Sequence, residues 1–375
     1  MSNVNERIIK ERNKIYYNQT LLLLINFRVM LGLNNLPILR VPPANQDVWI
    51  ALLLSIPYIL IFSLPLLFLS NKFNNFNLIE IIEKIMGRIL GKIVGIYYFL
   101  VFLYYLVIFS STFVEILDNA LFRETPTWAT ASLFLITSIH IAHKGLRNLA
   151  RLGEVLIPLI LVSLFVFVIL GYDNYQFANL FPILGNSTFK DINRGAIDIS
   201  LRFVDAIIAT MLTPYLVNKK DLNKVYIRST IYSLLTITLI TITTLTTLGP
   251  EFAKRINFPF LTYTRLINFQ PAIQGFESVY IVFWIIGNII RIAGYLYISS
   301  VSLGQITGIR NDRFILPLAI LTLIAVQLIK DTRPVLGLRG PFNQITLIIS
   351  FISILVIPII VIIVYLFRRK FKERG

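Results

Sequence analysis

The chain has 375 residues, 56% of them hydrophobic and only 14% charged, with a mean hydropathy of +0.75. That leaves too little polar surface for a soluble globule of this size, so the composition describes an integral membrane protein. The net charge of +16 would suit nucleic acid, but it alternates with apolar segments along the chain, and the absence of cysteine excludes disulfides, thiolate catalysis and cysteine metal sites.

Ten apolar segments are predicted as spanning helices, at about 16–39, 47–70, 92–116, 126–142, 152–172, 194–217, 227–249, 276–304, 313–330 and 342–367. Of the 35 Lys and Arg residues, 22 fall in the two tails and the loops after spans 2, 4, 6 and 8, against 10 in the opposite loops. This bias places both termini in the cytoplasm, as an even number of spans requires. The expected organisation is a single membrane domain. It has a tail at 1–15, helices 1–5 at 16–172, helices 6–10 at 194–367 and a basic tail at 368–375 suited to anionic lipid. Residues 1–15 mix Glu6 and Glu11 with four basic residues, and no small-residue cleavage site follows, so span 1 is expected to be retained.

Span 1 carries Arg28 and the run Gly32-Leu33-Asn34-Asn35-Leu36-Pro37, which is expected to interrupt the helix and free backbone groups for a small ligand. An ordinary helix end near residue 31, with the run in an external loop, is the alternative. After span 2, Leu78 to Leu90 has an amphipathic pattern suited to the membrane surface. Span 3 presents Tyr97, Tyr104, Ser111 and Glu115 along one line, and His140 near the end of span 4 reads as an interfacial polar residue.

Span 6 holds Asp198, Arg202 and Asp205, which an unbroken helix would place on one face. Each central charge costs roughly 2.5–3.5 kcal/mol, whereas an apolar residue recovers only about 0.3–0.6, so this helix is not expected to face lipid. Asp205 and Glu277 are the candidate proton carriers, with Arg202 or Arg291 as pairing partners. The threonines of span 7 read as helix-packing residues. In span 8, Glu277, Trp284, Asn288, Arg291 and Tyr295 fall on one face, either lining a ligand path or satisfying the charges of span 6.

Spans 1 and 6 are the first helices of two five-helix halves, and both carry interruptions. Matching interruptions point to an inverted-repeat transporter fold with a ligand site near the midplane. No Walker loop, metal-ligand cluster or nucleophile elbow occurs at a plausible place, so no enzyme activity, cofactor or metal is expected.

Several stretches resemble the B subunit of endospore germinant receptors, spore-germination permeases within the amino acid, polyamine and organocation transporter superfamily. The marks are Gln46-Asp47-Val48-Trp49 at span 2, GLRNLARLGEVLIP from Gly145 to Pro158, and Asn179-Leu180-Phe181-Pro182 before span 6. Further marks are Met211-Leu212-Thr213-Pro214, Phe258-Pro259, and Glu277-Ser278 with Trp284. Together they cover nearly the whole chain.

The resemblance implies an all-α, ten-helix, leucine-transporter-like fold of 5+5 inverted repeats in the inner spore membrane. It also implies an A subunit and a lipoprotein C subunit as partners, and an amino acid or similar small germinant as ligand. Gly32 matches the first glycine of the family's helix 1 break, and Asp205 falls where a glutamate is usual. Asn34 stands in place of the second glycine, and Val204 where a small residue often precedes the acid. The expected ligand-binding or gating residues are Gly32, Asn34, Tyr104, Arg202, Asp205, Glu277, Trp284, Asn288 and Arg291. An ion-coupled amino acid permease, and a scaffold without a ligand, remain alternatives to a sensor.

Overall fold

The computed structural model describes residues 13–35, 41–267, 277–329 and 341–372, excepting the side chains of 35, 341–343 and 370–372. The expected tails at 1–12 and 373–375, and Leu36-Pro37 of the span 1 run, lie outside the described residues.

Long apolar runs without backbone partners must satisfy their amides internally, and the chain does so with helices. Span 1 is α1 (Tyr17–Asn35), span 2 is α2 (Val48–Lys72), and the amphipathic segment is α3 (Leu78–Met86). Spans 3, 4 and 5 are α4 (Arg88–Ala120), α5 (Thr127–His143) and α6 (Leu146–Leu170). Span 6 is two pieces, α7 (Phe189–Arg202) and α8 (Asp205–Leu212), and span 7 is α9 (Leu222–Leu248). After two short helices, α10 (Pro250–Ala253) and α11 (Pro259–Arg265), span 8 is α12 (Glu277–Thr307) and span 9 is α13 (Asp312–Ile329). Span 10 is α14 (Pro341–Phe351) and α15 (Ile357–Lys372), joined by a π turn at Ile352–Val356.

Seven of these segments are long and apolar enough to cross a bilayer, making this an all-α membrane protein. The other three predicted spans fall short for visible reasons. α1 carries Arg28 and several amides, α5 has 17 residues, and α7–α8 is interrupted.

The helix partners follow a rule. α1 packs on α9 and α2 on α7, so spans 1 and 7 pair as spans 6 and 2 do. Span 5 meets span 1 as span 10 meets span 6, and span 4 meets span 8 as span 9 meets span 3. Spans 3 and 8 pack against each other at the centre. Moving five places along the chain therefore reproduces these pairings, and five is odd, so equivalent helices run in opposite directions. That is the geometry of an inverted repeat. A parallel bridge between Ile15 and Leu216 ties the start of span 1 to the end of span 6, with Ile15 N donating to Tyr215 O at 2.9 Å and Val217 N to Ile15 O at 3.0 Å.

Two local expectations are corrected. α1 runs unbroken through Arg28 and Gly32 to Asn35. Gly32 is there for close packing, since a Cβ would lie 2.8 Å from Ile237 Cγ1 of α9. The amphipathic segment ends at Met86 rather than Leu90, because Gly87 adopts a φ of +88° and Arg88 opens the next helix. α3 starts at a capping box of Asn77 and Glu80 and buries Leu78, Ile79, Ile81, Ile82 and Ile85 against the protein.

Candidate functional site

The interruption of span 6 separates its charges. Phe203 leaves the helix with a ψ of 81°, and Asp205 begins a new one. The single charged face expected of an unbroken helix is therefore not formed. Arg202 turns to Asp198 at 2.8 Å on α7, with side-chain exposures of 11% and 19%. Asp205 turns inward at the start of α8, where a carboxylate also complements the positive end of the helix dipole.

Its partner is Arg28 of α1. Arg28 Nε lies 3.0 Å from Asp205 Oδ2, and both side chains are buried. Arg28 Nη1 donates to Ser229 Oγ of α9 at 2.9 Å, and its guanidinium stands 5.0 Å from the Tyr226 ring centroid. The first helices of the two halves thus meet through a buried ion pair. Removing water from both ions costs several kcal/mol, which the contact offsets only if the geometry is held, so packing around it must be tight.

α12 supplies a third charge. Arg291 is 1% exposed, and its guanidinium lies 3.4 Å from the Phe109 ring centroid of α4. Tyr295 joins Phe27, Tyr105 and Phe109 in one aromatic cluster around it. Asp205 feels the fields of both Arg28 and Arg291.

About one to two turns toward the start of α12 is a polar lock. Trp284 Nε1 donates to Asn34 Oδ1, Asn34 Nδ2 donates to Asn288 Oδ1, and Asn288 Nδ2 donates to Trp284 O, each at 2.9 Å. Above it is a narrow, partly open cleft whose lining includes Leu33, Asn34, Phe258, Leu261, Tyr280 and Trp284. Seven residues of helix separate Trp284 from Arg291, so the charged cluster lies about 10 Å beneath the floor of the cleft.

The predicted residues divide accordingly. Asn34, Trp284 and Asn288 form the lock, and Asp205 and Arg291 lie in the charged cluster below it. Gly32 faces Ile237, and Arg202 sits with Asp198. Glu277 is the half-buried first residue of α12, two turns before Trp284. Tyr104 bonds Thr346 of α14, whereas its neighbour Tyr105 faces Tyr295. Arg28, expected to interrupt span 1, is instead the partner of Asp205 within a continuous helix. Its signal was available as the one charge in the span equivalent to span 6.

Several sequence marks are structural. Asp47 is fully buried and accepts from Leu184 N at 3.0 Å and Ser187 Oγ at 2.7 Å, while Gln46 Nε2 donates to Pro182 O at 2.9 Å. Two marks distant in sequence thereby knit the loop before span 6 to the start of span 2. Asp47→Ala leaves that N–H and hydroxyl without their acceptor and is expected to lower stability by about 2–3 kcal/mol. Thermal unfolding of the purified protein checks this, and an unchanged midpoint would contradict it.

A break in span 6, a buried charge at that break paired to span 1 and a closed lock above it define a membrane protein with the architecture of a secondary transporter. The chain belongs to the spore germination protein family, whose model matches residues 14–335. It is 24% identical over 298 residues to spore germination protein YndE of Bacillus subtilis (strain 168), covering 78% of this chain and 81% of that protein. Spore germination protein KB of the same organism is 23% identical over 336 residues, 88% and 90% of the two chains. Spore germination protein XB of Bacillus anthracis is 22% identical over 258 residues, 68% and 71% of the two chains.

Proposed function

We propose that this chain is the ligand-sensing membrane subunit of a spore germinant receptor. It binds a small nutrient such as an amino acid between helices 1, 3, 6 and 8, and that binding triggers germination. The observation that carries this reading is the occluded junction of spans 1 and 6, where Arg28 and Asp205 meet beneath the lock of Asn34, Trp284 and Asn288. A ligand that favours one arrangement of this junction biases an equilibrium between two states, and sensing requires nothing further. The family membership supports a role in germination, and it supports a receptor with A and C subunits in the inner spore membrane as the setting.

The test has two arms. The purified chain is reconstituted in vesicles under a proton or sodium gradient with labelled amino acids, and the gene is deleted and spores scored for germination. Binding without uptake, together with loss of the response to one nutrient, is the expected result. Gradient-driven uptake with normal germination of the deletion strain would replace the receptor by a permease.

The orientation is proposed from the 22 to 10 distribution of basic residues, which puts Lys219 inside and Lys254 outside. Single cysteines at these positions, in a chain that has none, are expected to react with an impermeant maleimide at 254 and not at 219. The reverse pattern would overturn it.

A further inference from the structure

The charges inside the bundle do not balance. Among the described residues the buried charged side chains are Arg28, Asp47, Asp205 and Arg291. Asp47 is engaged by Leu184 and Ser187 at the start of α2, and Asp205 by Arg28 at 3.0 Å. Arg291 is left with its face on Phe109 and Tyr295 as its polar neighbour, and its Nε and Nη1 have no acceptor among the described residues. Stacking occupies the face of a guanidinium and leaves its in-plane N–H donors available, in the fork geometry that matches a carboxylate. A buried cation with unused donors is costly, and an anion delivered to it removes that cost.

We propose that Arg291 is the recognition group for a small monoanion, either the carboxylate of an organic ligand or a lone inorganic anion, held beneath the Asn34–Trp284–Asn288 lock. The inference rests on the ligand site proposed above and sharpens its chemistry. The buried cluster has no carboxylate to spare for a ligand's ammonium, because Asp205 is already taken by Arg28. The anionic group is therefore what the site reads. The aromatic walls of Phe109, Tyr105 and Tyr295 keep the occupant small.

The full chain in nanodiscs, kept in a salt of a bulky anion, is titrated with acetate, acetamide, methylammonium and chloride, following thermal unfolding and Trp fluorescence. Acetate is expected to give a saturable stabilisation that its neutral isostere acetamide and the cation methylammonium do not give. A saturable chloride response that acetate does not displace assigns the site to an inorganic anion, whereas displacement of acetate by neither chloride nor acetamide assigns it to carboxylates, and both support the proposal. Arg291→Gln is expected to weaken the apparent affinity at least tenfold, while Arg310→Gln, exposed on the loop after α12, leaves it unchanged. Equal responses to acetate and acetamide, no response to either anion, or an unchanged Arg291→Gln titration would overturn it. The wild-type comparison needs no variant to fold. Germination of the deletion strain is read separately, so failure of the anion site and failure of the receptor role are distinguishable.

Discussion

Asp205→Ala is expected to cost about 3–5 kcal/mol of stability, and Arg28→Met about as much, because each leaves an uncompensated charge in the interior. The double replacement Arg28→Met with Asp205→Leu is expected to recover most of the loss. An apolar pair of similar volume needs no desolvation of ions, and Ser229 and Tyr226 tolerate a neutral neighbour better than a bare carboxylate. The observation behind this is the 3.0 Å contact between two side chains buried at 0% and 5% exposure. Thermal unfolding of the three variants in one detergent forms a double-mutant cycle. Additive losses, with the double variant the least stable, would show that the two groups do not pair. A recovered double variant that no longer responds to ligand would separate what the pair does for stability from what it does for sensing.

The second large effect is on the lock. Asn34 holds both Trp284 and Asn288, so Asn34→Ala removes two hydrogen bonds of about 1 kcal/mol each. A change of about 2 kcal/mol moves an open–closed equilibrium roughly thirtyfold toward the open state. Trp284 reports on this directly once Trp49 and Trp128 are replaced by phenylalanine, leaving it the sole tryptophan. In that background Asn34→Ala is expected to raise quenching of Trp284 by acrylamide severalfold. Quenching that stays at the level of the unaltered lock would show that Asn34 does not close the floor of the cleft.

Much of this architecture is legible in the chain because a bilayer imposes a simple rule, that a run of about 20 apolar residues becomes a helix. Trp284, Asn288 and Arg291 share one face because α12 is continuous over 31 residues, and a fixed rotation of 100° per residue then holds. The same rule failed in span 6. The helix stops at Arg202, so Asp205 obeys a different axis, and the charges that announced the break also concealed how it divides them.

Tyr105, which faces Tyr295, lies one position outside the line of Tyr97, Tyr104, Ser111 and Glu115, so a reading of that line selects its neighbour Tyr104 instead. Gly32 was read as a weakness in the helix and is instead a point of contact with Ile237. The pairing of Arg28 with Asp205 is a contact between the two halves, and nothing local to either residue specifies it. It becomes readable only from the correspondence of spans 1 and 6, which gives the two helices one unmatched charge each, of opposite sign and facing the other.

Sensing through this chain requires that the buried junction of spans 1 and 6 read the nutrient. Asp205→Asn preserves the shape of the side chain and removes its charge, and with it one charge-assisted contact worth roughly 1.5–3 kcal/mol. Spores carrying this variant at normal protein abundance are expected to need at least tenfold more nutrient for half-maximal germination. An unchanged dose response at that abundance would contradict the account and reduce Asp205 to a structural partner of Arg28.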